Sequence, residues 1–303
     1  MIGTDAPLFG RVMTAMVTPF DDELKIDYKA LEKLVEHLIA NGTNTIVVCG
    51  TTGESPTLDD TEKKDLLTAV VKQVNGRVKI VMGTGSNDTA KSIKASREAE
   101  SLGADGLLLV APYYNKPNQE GLTAHFEAIC KSTSLPAVLY NIPGRTGINV
   151  SYDTTIELAK RCSNLHALKD STSTTEQAAE IAGKARQDFR VYSGDDYLTI
   201  PFLSVGGCGV VSVASHIIGP QIQEMIAAFF AGKLDDARKL HYQNLPLFKG
   251  LFTAPNPTCV KYALSKLGIC KPHLRLPLVP LSAKAAEPLD VLLKELKTKA
   301  VTA

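Results

Sequence analysis

One unit recurs along the chain: a helical stretch, a glycine, then a short apolar run ending in polar or glycine-rich residues. It stands in "EHLIANGTNTIVVCGTTGE", in "EAESLGADGLLLVAPYYN" and in "TIPFLSVGGCGVVSVASH". Such repetition restricts the fold to helices alternating with parallel strands, because parallel neighbours need a long crossover between them. Candidate strands cover 11–17, 45–49, 78–82, 106–110, 136–140, 165–169, 189–193 and 209–213. They are continuously apolar more often than alternating, as strands covered on both faces must be. Eight strands, most followed by a helical segment and joined by right-handed crossovers, predict an α/β fold of the (β/α)8 TIM-barrel type. A doubly wound open sheet shares the alternation, but "VTPFDDELKID" at the first βα turn lacks a dinucleotide glycine fingerprint.

Leu31, Leu34, Val35, Leu38 and Ile39 form an amphipathic stripe on the first helix, with Asp27 as its N-cap and Gly42 just past its end. After about residue 233 the strand pattern ceases. Residues 235–250, 256–268 and 284–299 read as helices joined by the proline-rich "APNP" and "KPHLRLPLVP". The chain therefore divides into a barrel over 1–232 and a C-terminal helical region over 233–303.

Composition limits the partners. Lys+Arg 33 against Asp+Glu 32 gives a net charge of +1, so no basic field attracts nucleic acid or an anionic membrane. Small molecules remain. Cys49, Cys130, Cys162, Cys208, Cys259 and Cys270 form no C-x-x-C pair, which suits free thiols in a reducing compartment. With neither a signal-like start nor a run of about 20 apolar residues, a soluble cytoplasmic protein is expected. The six histidines, His37, His125, His166, His216, His241 and His273, show no ligand spacing, so no metal site is expected.

In such a barrel the C-terminal ends of the strands and the loops after them form the active face. Polar residues collect there: Thr51, Thr52 and Glu54 after the second strand, Tyr113, Tyr114 and Asn115 after the fourth, Tyr140 and Arg145 after the fifth, Lys169 and Asp170 after the sixth, and Gly194, Asp195 and Asp196 after the seventh. A lysine held in a partly desolvated mouth is expected to have a lowered pKa and to attack carbonyls as a neutral amine. The plainer reading of Lys169 is a structural ion pair, with Asp170 a poor partner because adjacent strand residues face opposite ways. Tyr140 is a proton relay or simple packing. Arg145, in "PGRTG", grips a substrate carboxylate or is a solvated surface arginine. Thr51 and Thr52, between Gly50 and Gly53, hold a small anion or cap the turn.

"GTTGES", "PYYNKPNQEGL", "LYNIPGRTG", "LKDST", "SGDD", "GVVSV" and "PNP", in order over nearly the whole chain, resemble the dihydrodipicolinate synthase family. More widely, they resemble the pyruvate-dependent class I aldolases that include N-acetylneuraminate lyase. The resemblance implies that Lys169 forms an imine with pyruvate, that the derived enamine attacks L-aspartate 4-semialdehyde, and that cyclisation gives 4-hydroxy-tetrahydrodipicolinate on the route to diaminopimelate and lysine. Tyr140, Thr52 and Tyr114 become a hydroxyl relay, Tyr114 reaching in from a neighbouring subunit of a homotetramer. Thr51 and Thr52 hold the pyruvate carboxylate, with Gly194 and the backbone of Val211 beside it. No metal or organic cofactor is implied. Arg145 and the first Thr of "GTTGE" favour the synthase over sialic-acid and sugar-acid lyases, which typically lack that arginine and often have Ser at the threonine. Asp170 replaces a common Glu, with little consequence expected because its side chain should point away from the mouth. The alternatives are an aldolase releasing pyruvate from a 2-keto-3-deoxy acid and a non-catalytic small-anion sensor.

In lysine-inhibited relatives the resemblance implies an effector cleft, here Ser55, Pro56, Asp60, Lys63, Asn87, Lys91 and Tyr113. Sensitive bacterial members commonly carry His where Lys63 stands and Glu where Lys91 stands. Two cations in their place oppose an effector bearing two ammonium groups, so weak or absent inhibition by lysine is expected.

Overall fold

A computed structural model describes residues 6–301. Its strands are β1 Val12–Ala15, β2 Thr45–Val48, β3 Lys79–Gly83, β4 Gly106–Val110, β5 Ala137–Asn141, β6 Leu165–Asp170, β7 Arg190–Ser193 and β8 Gly209–Ser212. Each pairs in parallel with the next, and β8 pairs with β1, so the sheet closes into a barrel. The TIM barrel expected from the repeat is present, and the ends of each strand lie within two residues of the expected limits.

The helices are α1 Tyr28–Ala40, α2 Asp60–Val74, α3 Thr89–Ser101, α4 Gln119–Cys130, the short α5 Pro143–Thr146, α6 Tyr152–Arg161, α7 Glu176–Lys184, α8 Thr199–Ser204 and α9 Ser215–Phe230. Beyond them lie α10 Leu234–Gly250, α11 Thr258–Lys266 and α12 Ala283–Val301. The first helix starts where its sequence dictates: the Asp27 carboxylate accepts the Ala30 backbone N–H at 2.9 Å, and Gly42 takes a φ of +77° just past the end. Leu31, Leu34, Val35 and Leu38 are buried against the barrel. Among the later helices α10 packs on α9, and α12 packs on α10 and α11. No described helix is long and apolar enough to cross a membrane.

Alternation along the strands separates two apolar layers. Met13, Ala15, Val47, Val81, Leu108, Val138, Tyr140, Ala167, Tyr192 and Val211 fill the barrel interior, while Val12, Ile46, Val48, Ile80, Leu107, Leu109, Leu139, Leu168 and Val210 join the larger core beneath the helices. Both layers are shielded from water, which is why the strands read as unbroken apolar runs. Phe9 closes the end of the barrel where the strands begin, and a Cβ on Gly106 would lie 2.6 Å from its ring, so only glycine admits it. The Tyr192 hydroxyl donates to the Gly10 carbonyl at 2.8 Å at that same end. The opposite end remains for chemistry.

One irregularity fixes the site. Ala137 pairs with Leu165 but Val138 pairs with Ala167, so β6 holds an extra residue at His166. The extra residue reverses the parity of the strand beyond it. Leu165 faces the helices, whereas Ala167 faces the interior, and Lys169, two residues on, faces the interior with it.

Candidate active site

Lys169 stands at the mouth of the barrel with 6% of its surface exposed. It is in register with Tyr140 on β5 and Tyr192 on β7, and its Nζ lies 4.1 Å from the centroid of the Tyr140 ring. No carboxylate among the described residues comes within ion-pair distance of it, so the structural ion pair weighed for this lysine is not formed. Asp170, one residue on, is buried: its Oδ1 accepts the Thr172 N–H at 2.8 Å and its Oδ2 has no partner. Burial holds that carboxyl above the usual range.

Strand β7 delivers the neighbouring acids. The Gly194 N–H donates to the Asp170 carbonyl at 2.7 Å, and a Cβ on Gly194 would fall 1.9 Å from Ser171 Oγ and 3.0 Å from the Asp170 carbonyl, so a side chain there would force Ser171 to move. Asp196 accepts from Ser212 Oγ at 2.5 Å and from the N–H groups of Val213 and Ala214 at 3.1 and 2.9 Å, tying the end of β7 to the turn after β8. Between them, Asp195 is pushed up to about 6 by burial, against the pull of the Lys169 ammonium, and its Oδ2 is unpartnered. Its charge therefore depends on proton uptake near neutrality and on the state of Lys169.

The loop after β2 is held by the C-terminal region. Glu54 has a left-handed backbone, φ +55°, which for a non-glycine residue costs about 1–3 kcal/mol. Its Oε1 receives the Lys261 ammonium of α11 at 2.5 Å, and its Oε2 receives the Arg275 N–H at 3.0 Å. The Lys261 and Glu54 side chains are sealed from solvent, at 0% and 1% exposure. The Lys261 ammonium also donates to the His273 carbonyl at 2.8 Å and lies 4.1 Å from the centroid of the Phe20 ring. Burial draws the Lys261 pKa down and Glu54 opposes it. Two residues before Glu54, Thr52 is buried, and its Oγ1 accepts from Asn256 Nδ2 at 2.8 Å.

A cavity of about 710 Å³ reaches Tyr140, the residue whose ring Lys169 lies over. Thr51, Tyr140 and Arg145 line it; Lys169, Thr52, Gly194, Val211 and Tyr114 do not. Arg145 sits on α5, exposed, and its guanidinium has no ion-pair partner among the described residues. Val211 is buried in the interior layer. Tyr114 is 89% exposed on a backbone with φ +71°. All seven residues of the expected effector cleft line the same cavity, with Asn115 Nδ2 donating to the Asn87 carbonyl at 2.9 Å across its rim. Lys94 approaches Asp60 at 3.8 Å and Lys64 pairs with Glu98 at 2.9 Å, whereas Lys63 and Lys91 take no acidic partner among the described residues.

With this barrel and its mouth described, the chain as a whole is similar to known proteins. The family model described as the dihydrodipicolinate synthetase family matches residues 8–296. The chain belongs to that family. It is 52% identical over 282 residues to a 4-hydroxy-tetrahydrodipicolinate synthase of Halalkalibacterium halodurans, covering 93% of this chain and 95% of that protein. A solved dihydrodipicolinate synthase of Bacillus anthracis superposes with a TM-score of 0.93 at 49% identity, over 95% of this chain and 98% of that one. The Cyanidioschyzon merolae enzyme, solved with lysine bound, gives 0.92 at 47% identity over the same shares.

Within this dihydrodipicolinate synthetase family barrel, three contributors carry no local signal of their role. Lys261 lies in "TCVKYALSK", where a lysine reads as a solvated helix face; Asn256 stands only in the "PNP" connection; and Glu54 reads as a strand-end acid. The buried pair gives a direct test. Lys261→Met leaves a buried carboxylate without its cation and is expected to lower unfolding free energy by about 3–5 kcal/mol in urea denaturation. Lys25→Met, at the exposed pair with Glu23, should cost less than about 1 kcal/mol. Equal losses for the two variants would contradict the buried clamp.

Proposed function

We propose that this chain is a 4-hydroxy-tetrahydrodipicolinate synthase, a lyase that condenses pyruvate with L-aspartate 4-semialdehyde through a Schiff base on Lys169. The family membership and the relatives of about 50% identity that bear this name support the reaction. In the proposed mechanism the Lys169 amine adds to the ketone carbon of pyruvate and water leaves, forming the imine. The protonated imine draws electrons from the methyl group, which gives up a proton to become an enamine. The enamine carbon attacks the aldehyde carbon, and the amino group of the new chain then displaces Lys169 as the ring closes. The lysine is thereby returned to the barrel.

Each role has its support. Tyr140 lies against Lys169 and, with Thr52, would move the protons; the exposed, left-handed Tyr114 suits a hydroxyl offered to a neighbouring subunit, and this favours a homotetramer built as a dimer of dimers. Thr51 and Thr52 would hold the pyruvate carboxylate between Gly194 and the Val211 backbone. The division at residue 232 would leave the chemistry on the barrel and its supports, Asn256 and Lys261, on the helical region. Free buried thiols fit a reducing compartment such as the cytoplasm.

The observation that carries the synthase reading over a lyase is Arg145, a guanidinium with no ion-pair partner among the described residues, on the same cavity as Tyr140. A bidentate contact to the semialdehyde carboxylate is its natural use. Arg145→Ala should lose about 2–4 kcal/mol of transition-state binding for the semialdehyde, roughly 30- to 1000-fold in kcat/KM, with the KM for pyruvate little changed. Unchanged condensation in a coupled assay would overturn the assignment.

The same cavity carries Ser55, Pro56, Asp60, Lys63, Asn87, Lys91 and Tyr113, proposed as the counterpart of a lysine-effector cleft. Lys63 and Lys91, without acidic partners among the described residues, face any cationic ligand there, and Asp60 is already approached by Lys94. Initial rates against L-lysine at sub-saturating pyruvate should show weak or no inhibition. Strong inhibition at sub-millimolar lysine, abolished by Tyr113→Phe, would show that the cleft binds its effector in spite of its charge.

A further inference from the structure

We infer that Asn256, from the C-terminal region, is a positioning residue for proton transfer: its amide holds the Thr52 hydroxyl so that the proton of that hydroxyl points into the mouth. The inference rests on Thr52 serving in the relay proposed above. Asn256 is 7% exposed and Thr52 2%, and the 2.8 Å contact from Asn256 Nδ2 to Thr52 Oγ1 is closed to bulk water. A threonine hydroxyl has one proton to donate and two lone pairs to receive with. The amide N–H occupies one lone pair, so the proton of Thr52 cannot turn toward Asn256. An amide is neither acid nor base near neutrality, and the relay therefore ends at Thr52 without leaking onward.

The frame around this contact is rigid on both sides. Thr52 is two residues from Glu54 and Asn256 five residues from Lys261, and those two charged groups are themselves joined at 2.5 Å in the dry interior. The turn carrying Asn256 is closed by the Thr258 N–H donating to the Pro255 carbonyl at 2.9 Å. Asn256 Oδ1, by contrast, has no partner although it is buried. A side chain kept in a sealed site with half of its amide unused is placed there for the half that is used.

Aspartate has nearly the same shape as asparagine and the opposite hydrogen-bonding sense. In the variant Asn256→Asp an ionised carboxylate could only accept, so the Thr52 proton would turn away from the mouth; once protonated, the carboxyl could donate again. Asn256→Asp should lower kcat by about 10- to 100-fold at pH 8, with the pyruvate KM changed less than about threefold, and should regain activity relative to the parent as pH falls. Asn256→Ala, which only frees the hydroxyl, should lose less than Asn256→Asp at pH 8. In a Thr52→Val background, Asn256→Ala should cost nothing further in kcat, as residues acting through one another require. A packing role would reverse the order, with the alanine variant worst at every pH and its cost unchanged in the valine background. Either result would overturn the inference. Thr52→Val with parental kcat would instead overturn the relay on which it rests.

Discussion

In a closed barrel successive side chains alternate between the interior and the helix layer, so the extra residue that β6 carries at His166 sets the direction of every side chain after it. Without it Lys169 would point among the helices, against apolar residues of the neighbouring strand such as Leu139. With it, the ammonium enters the mouth, lies over the Tyr140 ring and shares its field with Asp195. The cost of keeping a cation there is met by the aromatic face and by nearby carboxylates that do not close on it as ion pairs. An amine left unpaired in this way remains available for a carbonyl.

Rigidity comes from elsewhere. The turn after β2 carries Thr51 and Thr52, and it contains Glu54 in a conformation that non-glycine residues avoid. The buried contact with Lys261, together with the Arg275 N–H, keeps it there. A buried ion pair is a poor source of net stability, but losing one partner is severe. The helical region beyond the barrel thus takes part in the site, through an anchor at Glu54 and a hydrogen bond at Thr52.

Much of this was legible in the sequence, for identifiable reasons. The strands announced themselves because both of their faces are buried, and α1 because Asp27 and its apolar stripe act over a few residues. Strand-end position brought Lys169, Tyr140, Thr51 and Thr52 into consideration, and the glycines around Arg145 marked its loop. What could not be read depends on residues far apart in the chain. The parity change at His166 exists only against Ala137 and Val138. Lys261 is buried because Glu54, 207 residues away, is buried opposite it. Asn256 gains its meaning from Thr52 alone. Local propensity has no access to such pairings, and the motif "PNP" pointed to a place without supplying the reason.

The measurement that bears most directly on a chemically free Lys169 is reductive trapping. The protein is incubated with pyruvate and borohydride, digested, and its peptides are weighed. One pyruvate-derived adduct on the peptide containing Lys169, absent when pyruvate is omitted and absent in Lys169→Arg, is the expected result. No adduct, or an adduct carried by another lysine with Lys169 unmodified, would contradict the imine mechanism and the role assigned to the barrel mouth.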